Sequence, residues 1–279
     1  MNKTEIFIHV GLHKTGTTFL QRQIYPKLSL AYYDFRPFDE QLTTNHRKRK
    51  ICISDENYSG RPWPKGFPDR PSDVSYGEQF KYSMHNLVDL YPGAKIIIGF
   101  REHSSFLISL YKQYLHEGGT GKLEYFFNPS SERSVIRKED LLFKSRVDVL
   151  MDLFDQQVLV YDQKKLLTNT AHEVERICRF LGVTDVPPID NSRSMNKGVK
   201  YHQANILRIL NGMDKKLMRI SFLPALNNSF SRRMRLTPRQ ICQYKLAGLS
   251  KREIRLSVEQ SNYISATFAD DWSYISTLS

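Results

Sequence analysis

The chain has 279 residues, 40% hydrophobic and 25% charged, close to the soluble globular average and against both wholesale disorder and a fibrous repeat. No apolar run approaches the roughly 20 residues that span a bilayer, and the three cysteines, Cys52, Cys178 and Cys242, form no CxxC pair and no His/Cys cluster at metal spacing. The 41 Lys and Arg exceed the 29 Asp and Glu to give a formal net charge of +12, which points to anionic partners: nucleic acid, a membrane surface, or a phosphorylated or sulfated small molecule.

In chain order, the branched apolar run at residues 6–10 predicts a strand that stops at Gly11, where a turn rich in Gly and Thr begins. Beyond the turn, Phe19, Leu20, Gln23, Ile24 and Leu28 recur at helical spacing until Pro26 disturbs the last turn. Further strands are predicted at residues 30–35 and 50–54. The segment 95–100 reads as a strand followed by a helix carrying Phe106, Leu107, Leu110, Tyr111 and Leu115. Residues 158–161 read as a strand followed by a helix around 170–181. This alternation, with about five strands, predicts a mostly parallel sheet with helices on both faces. Beyond Tyr201 the spacing is helical: Ile206, Leu207, Leu210 and Met213, then Ile241, Tyr244 and Leu246, then Ile254, Val258 and Tyr263. No low-complexity linker intervenes, so a single domain over 1–279 is expected, with a sheet core to residue 200 and a helical portion over 201–279. Residues 57–77 and 118–137 read as long loops of the lid or binding type. The cysteines have isoleucine neighbours and read as reduced, buried small hydrophobes of a cytoplasmic protein.

Gly11-Leu12-His13-Lys14-Thr15-Gly16-Thr17-Thr18 joins the first strand to the first helix. Unpaired N–H groups and a partial positive charge at a helix N-terminus make such a turn a phosphate cradle. It departs from the Walker form GxxxxGK[ST], because Thr17 stands where the lysine belongs and the lysine has moved forward to Lys14. An ordinary structural turn is the alternative, although a lysine and three threonines there are hard to justify by packing.

The stretch HVGLHKTGTTFLQ resembles the 5′-phosphosulfate loop of sulfotransferases that use 3′-phosphoadenosine 5′-phosphosulfate (PAPS), in the bacterial and Golgi carbohydrate branch. Within REHSSFLISLY, Arg101 closes a strand and Ser109 follows eight positions later, similar to the family pair that contacts the 3′-phosphate. The segment VLVYDQKKL at 158–166 is also similar to a family strand, and Ser194-Met195-Asn196-Lys197-Gly198 more weakly resembles the late loop that closes over the 3′-phosphate, with Lys200 as a substitute for Lys197. The resemblance implies a P-loop-type three-layer α/β fold with a helical C-terminal portion. The site residues it implies are His13, Lys14, Thr15, Gly16, Thr17, Thr18, Arg101, Ser109, Lys197 and Gly198 around PAPS, or its product adenosine 3′,5′-bisphosphate, with no metal required. Arg101 suits that place on physical grounds too, since a guanidinium presents a bidentate fork to phosphate at the strand end where parallel sheets bind ligands.

The implied reaction moves a sulfuryl group to a hydroxyl or amine of a carbohydrate or other metabolite. Charge builds on the departing bridging oxygen, where Lys14 stabilises it. The strand at 50–54 leads into Asp55-Glu56, which puts carboxylates at the rim beside the loop. The glycosaminoglycan branch favours Glu56 as the base, His13 is its rival, and a Glu56 that merely caps the next turn remains open. His103 and His116 read as surface residues. Within 57–77, Tyr58, Trp63, Phe67 and Tyr76 alternate with Arg61, Lys65 and Arg70, which suits a lid over a glycan or other small acceptor, including an anionic one. Trp63 packed on the core is the competing reading. The basic run at 46–50 lies at the opposite end of the sheet, and Arg232-Arg233-Met234-Arg235 has no nucleic-acid module around it, so nucleic acid is not the expected partner. A nucleotide-dependent kinase and a non-catalytic adenosine-bisphosphate-binding module are the alternative functions, and the oligomeric state is not legible.

Overall fold

The computed structural model describes residues 4–33, 50–70, 72–189, 199–220 and 252–279. The chain runs β1 (Glu5–His9), α1 (Thr17–Phe19), β2 (Ala31–Tyr33), β3 (Lys50–Ser54), α2 (Tyr76–Leu90), β4 (Lys95–Phe100), α3 (His103–His116), α4 (Leu123–Phe126), α5 (Phe143–Leu153), β5 (Val158–Asp162), α6 (Gln163–Thr168), α7 (Thr170–Phe180), α8 (Tyr201–Ile220) and α9 (Val258–Leu278). After one turn α1 widens into a π-helical stretch at Leu20–Ile24, then tightens into a 3-10 turn at Tyr25–Lys27 that contains Pro26.

The strands form one sheet in the order β2-β3-β1-β4-β5, and every pairing in it is parallel. Side chains alternate between two apolar clusters, as a period of two demands. Ile8, Ile53, Ile96 and Ile98 enter the larger cluster with Phe80, Leu110 and Phe268. Phe7, Cys52, Ile97 and Tyr161 enter the smaller one with Ile24 and Ile177. Both faces are covered, which is why the strands read as continuous apolar runs. From the central β1 the chain moves to β2 and β3 on one side, then crosses to β4 and β5 on the other. Such a reversal opens a crevice beyond the C-terminal strand ends. The loop at 11–18, the Asp55-Glu56 turn and Arg101 all follow those ends.

Two helices absent from the sequence reading, α2 and α5, lie against the sheet. A capping box starts α2: Glu78 N donates to Ser75 Oγ at 3.1 Å and Ser75 N to Glu78 Oε2 at 3.1 Å, an exchange that satisfies two otherwise orphaned amides. The third predicted C-terminal helix is α9, which packs on α5, β5 and α3. Its Asp271 accepts the first amides of α5, from Phe143 at 3.1 Å and Lys144 at 2.9 Å. Residues 241–246, and Cys242 with them, lie outside the described residues, as do 232–235.

One expectation is overturned here. His103 is 1% exposed, stacked between Phe143 and Phe268 at centroid distances of 4.3 and 4.7 Å, with Nε2 3.1 Å from Asp271 Oδ2. Its position at the start of α3 looks peripheral until α9 folds over it. No helix among the described residues is long and apolar enough to cross a membrane.

Candidate functional site

The loop after β1 is shaped by its own chemistry. Val10 N extends the ladder to Ile97 O at 3.0 Å. Gly16, with φ +102°, caps α1 in a conformation that side chains disfavour. Gly11 answers a close approach instead: a Cβ there would stand 2.5 Å from Thr17 Oγ1 and 2.8 Å from His9 Nε2. Lys14 has φ +67° without being glycine, a strained conformation that clusters at ligand sites. The hydroxyl of Thr15 donates to Leu12 O at 2.6 Å, so it braces the loop and its own donor proton is spent. Thr17 Oγ1 is buried with no partner of hydrogen-bond geometry, and Thr18 is half-buried.

At the end of β3, Asp55 supplies the cap that had been considered for Glu56. Its Oδ1 accepts Asn57 N at 2.8 Å and Asn57 Nδ2 at 2.7 Å, and Asn57 Oδ1 in turn accepts Arg61 Nη2 at 2.9 Å. Burial raises the Glu56 carboxyl above its ordinary pKa, opposed by the charges of Lys14 and Arg61 and reinforced by Asp55 and Glu117. His13 is buried and drawn down to about 4, first by desolvation and then by Arg61 and Lys14. Its Nδ1 lies 3.5 Å from the Tyr76 hydroxyl. Glu56, His13, Lys14 and Arg61 therefore share one electrostatic neighbourhood.

Arg101 lies at the end of β4, partly buried. Desolvation lowers its pKa against the neighbouring Glu102, and its Nε is buried with no hydrogen-bond partner. An orphaned guanidinium N–H at a strand end calls for an anion. Glu102 is committed to α3, accepting Ser104 N at 2.8 Å and Ser105 N at 2.9 Å. Ser109 lies half-buried in α3. Lys197 and Gly198 lie outside the described residues. Lys200 is within 3.7 Å of Glu253, which ties down the side chain considered as a substitute. The strained Lys14 and the orphaned Arg101 Nε, both beyond the C-terminal strand ends, suit an anion such as PAPS.

The lid expectation fails at Trp63. Its ring is 3% exposed and packs edge-on against Tyr114 and Phe126, each at 6.0 Å, while Nε1 donates to Glu117 Oε2 at 2.7 Å. Tyr58 and Tyr76 are also core residues, and Phe67 alone of the predicted aromatics is largely exposed, at 65%. The two long loops are fastened together, because Asp69 accepts Thr120 N at 2.8 Å and Thr120 Oγ1 at 2.7 Å. A cavity of about 630 Å³ near Asn128, Arg137 and Tyr263 contains none of the predicted site residues.

Sequence reading missed a buried polar group beneath the loop. His9 Nδ1 lies 2.9 Å from Ser54 Oγ and Nε2 lies 3.1 Å from the Tyr161 hydroxyl, while Gln21 Nε2 donates to Ser54 Oγ at 3.2 Å. Its one visible signal is a histidine closing the run Ile6-Phe7-Ile8.

No protein-family model matches the chain, and no curated protein matches it. Among solved structures the chain is similar to a sulfotransferase from Alicyclobacillus acidocaldarius, with 18% identity and a TM-score of 0.49 over 79% of this chain and 95% of that one. It is also similar to mouse sulfotransferase SULT7A1 complexed with PAP, with 15% identity and a TM-score of 0.39 over 75% of this chain and 66% of that one.

Proposed function

We propose that the chain is a sulfotransferase that moves a sulfuryl group from PAPS to a hydroxyl or amine of a carbohydrate or other metabolite. The observation that carries this reading is the gathering of Lys14, Glu56, His13 and Arg61 at the ends of β1 and β3, beside a β4 that ends in the unsatisfied Arg101. PAPS, when bound, supplies the sulfuryl group and an adenosine bisphosphate leaving group.

The chain's own residues do the rest. The amides of 11–18 and the start of α1 hold the 5′ end, while Arg101 and Ser109 hold the 3′-phosphate, joined by Lys197 and Gly198. Lys14 sets a positive charge where negative charge develops on the leaving oxygen, which stabilises the transition state more than the ground state. Glu56 takes the acceptor's proton, and its raised pKa brings it nearer the hydroxyl it must deprotonate. His13, neutral and bonded to Tyr76, orients rather than abstracts. Arg61 flanks Glu56 and suits an anionic group on the acceptor. The one domain spans 1–279, in a cytoplasmic setting with which the free, buried Cys52 and Cys178 accord.

A thermal-shift comparison of PAPS, adenosine 3′,5′-bisphosphate and ATP tests the cofactor: stabilisation by the first two is expected, and stabilisation by ATP alone overturns it. A mass-spectrometric search for PAPS-dependent sulfuryl gain across glycans and small metabolites then finds the acceptor.

A further inference from the structure

His9 is among the deeply buried titratable side chains that the mechanism leaves unused. His9 closes β1 fully buried, and each ring nitrogen faces a hydroxyl from a different strand: Ser54 at the end of β3 and Tyr161 in β5. The ring lies against the Cα of Gly11, where a Cβ would come within 2.8 Å of Nε2. Thr17 Oγ1 flanks the same spot, 2.5 Å from where that Cβ would stand, and burial raises the pKa of the Tyr161 hydroxyl against the lowering effect of the Thr15 and Thr17 hydroxyls. Those residues begin, brace and end the anion loop. Hydrogen bonds from both ring nitrogens fix the ring's orientation, and neutral imidazole suits the pair because one nitrogen donates while the other accepts.

We propose that His9 is a positioning residue for the anion loop: its ring, fixed through Nε2 by the Tyr161 hydroxyl, packs against Gly11 beside Thr17, so that the loop is set before the ligand arrives. The role of His9 rests on the proposed function only in that the loop receives an anion. Preorganised amides bind more tightly than amides that must be ordered on binding, because the ordering entropy is already lost.

The two nitrogens can be separated by substitution. In His9→Gln the side-chain amide reaches the Nε2 position and keeps the Tyr161 contact. In His9→Asn it reaches only the Nδ1 position and keeps Ser54. Tyr161→Phe removes the hydroxyl with little change of volume. Full-length variants are compared by calorimetry with adenosine 3′,5′-bisphosphate, and by amide exchange over residues 11–18 without ligand. His9→Asn and Tyr161→Phe should each weaken binding by about fivefold or more and speed exchange, while His9→Gln stays within about twofold of wild type. The double variant His9→Asn/Tyr161→Phe should be no worse than either single one, because both break the same contact.

A merely structural histidine lowers melting temperature without sorting Gln from Asn. Equal losses in both variants, or wild-type affinity and exchange in a folded Tyr161→Phe, therefore overturn the proposal. If His9→Asn does not fold, Tyr161→Phe carries the comparison alone. A wild-type chain indifferent to adenosine bisphosphate overturns the cofactor instead, and exchange over 11–18 still decides the role of His9.

Discussion

Asp55 holds Asn57 by two bonds from one carboxylate oxygen, to the backbone amide at 2.8 Å and the side-chain amide at 2.7 Å. The turn is thereby capped without Glu56, whose carboxyl stays beside Lys14 and Arg61. Glu56→Gln keeps its shape and removes the basic oxygen. It should lower kcat by about 10²–10⁴-fold with adenosine 3′,5′-bisphosphate affinity unchanged. Since burial raises the Glu56 pKa, activity should rise with pH through a midpoint above the ordinary carboxylate value. A full rate for Glu56→Gln beside a dead His13→Asn with normal cofactor affinity moves the base to His13.

Lys14 and Arg101 should separate kinetically although both are cations facing one anion. Lys14→Ala removes charge that matters most at the transition state, and kcat should fall by about 10²–10³-fold, with a smaller change in PAPS affinity. Arg101→Ala should weaken adenosine 3′,5′-bisphosphate by about 2 kcal/mol or more, the loss of a charge-assisted pair to a dianion. Calorimetry on both variants, with single-turnover rates at saturating PAPS, checks the split.

Local chemistry made the loop and the sheet legible. A glycine-rich turn after a branched apolar run needs only neighbouring residues to be recognised, and strands covered on both faces announce themselves as continuous apolar runs. What escaped depends on distant partners. Ser75 and Glu78 form a capping box inside a stretch dense in Pro, Gly and aromatics, so the start of α2 reads as loop. Trp63 has no periodicity to show which way it faces, and Tyr114 with Phe126 decides it. His103 turns inward because Asp271, near the other end of the chain, comes to meet it. His9 pairs with β3 and β5, which no local pattern reveals.

The burial of Trp63 changes what its replacement does. Trp63→Ala opens a cavity against Tyr114 and Phe126 and strips Glu117 of a donor, so it should destabilise the fold by about 3–5 kcal/mol. Chemical denaturation measures this directly. An Ala variant of wild-type stability with a raised acceptor KM would return Trp63 to the acceptor site. Arg61→Ala is the more direct probe of the acceptor, and should raise acceptor KM with little effect on PAPS.

Two buried histidines make stability depend on acid. Burial draws His9 down to about 3 and His13 to about 4, whereas both titrate near 6.5 in an unfolded chain. From about pH 6.5 down to pH 4 the unfolded state binds more protons, so their contribution, complete above 6.5, is lost as pH falls. Two protons give a slope of up to about 2.7 kcal/mol per pH unit. Glu56 and Asp140, raised by burial, act in the opposite sense as pH falls through their raised titration range and flatten it. Comparison with His9→Gln cancels the carboxylates: between pH 4.5 and 6 its denaturation free energy should depend on pH less steeply than wild type, by up to about 1.4 kcal/mol per unit, the equivalent of one proton. Parallel slopes for the two proteins would mean that His9 takes up its proton while folded, which is incompatible with a neutral ring held between Ser54 and Tyr161.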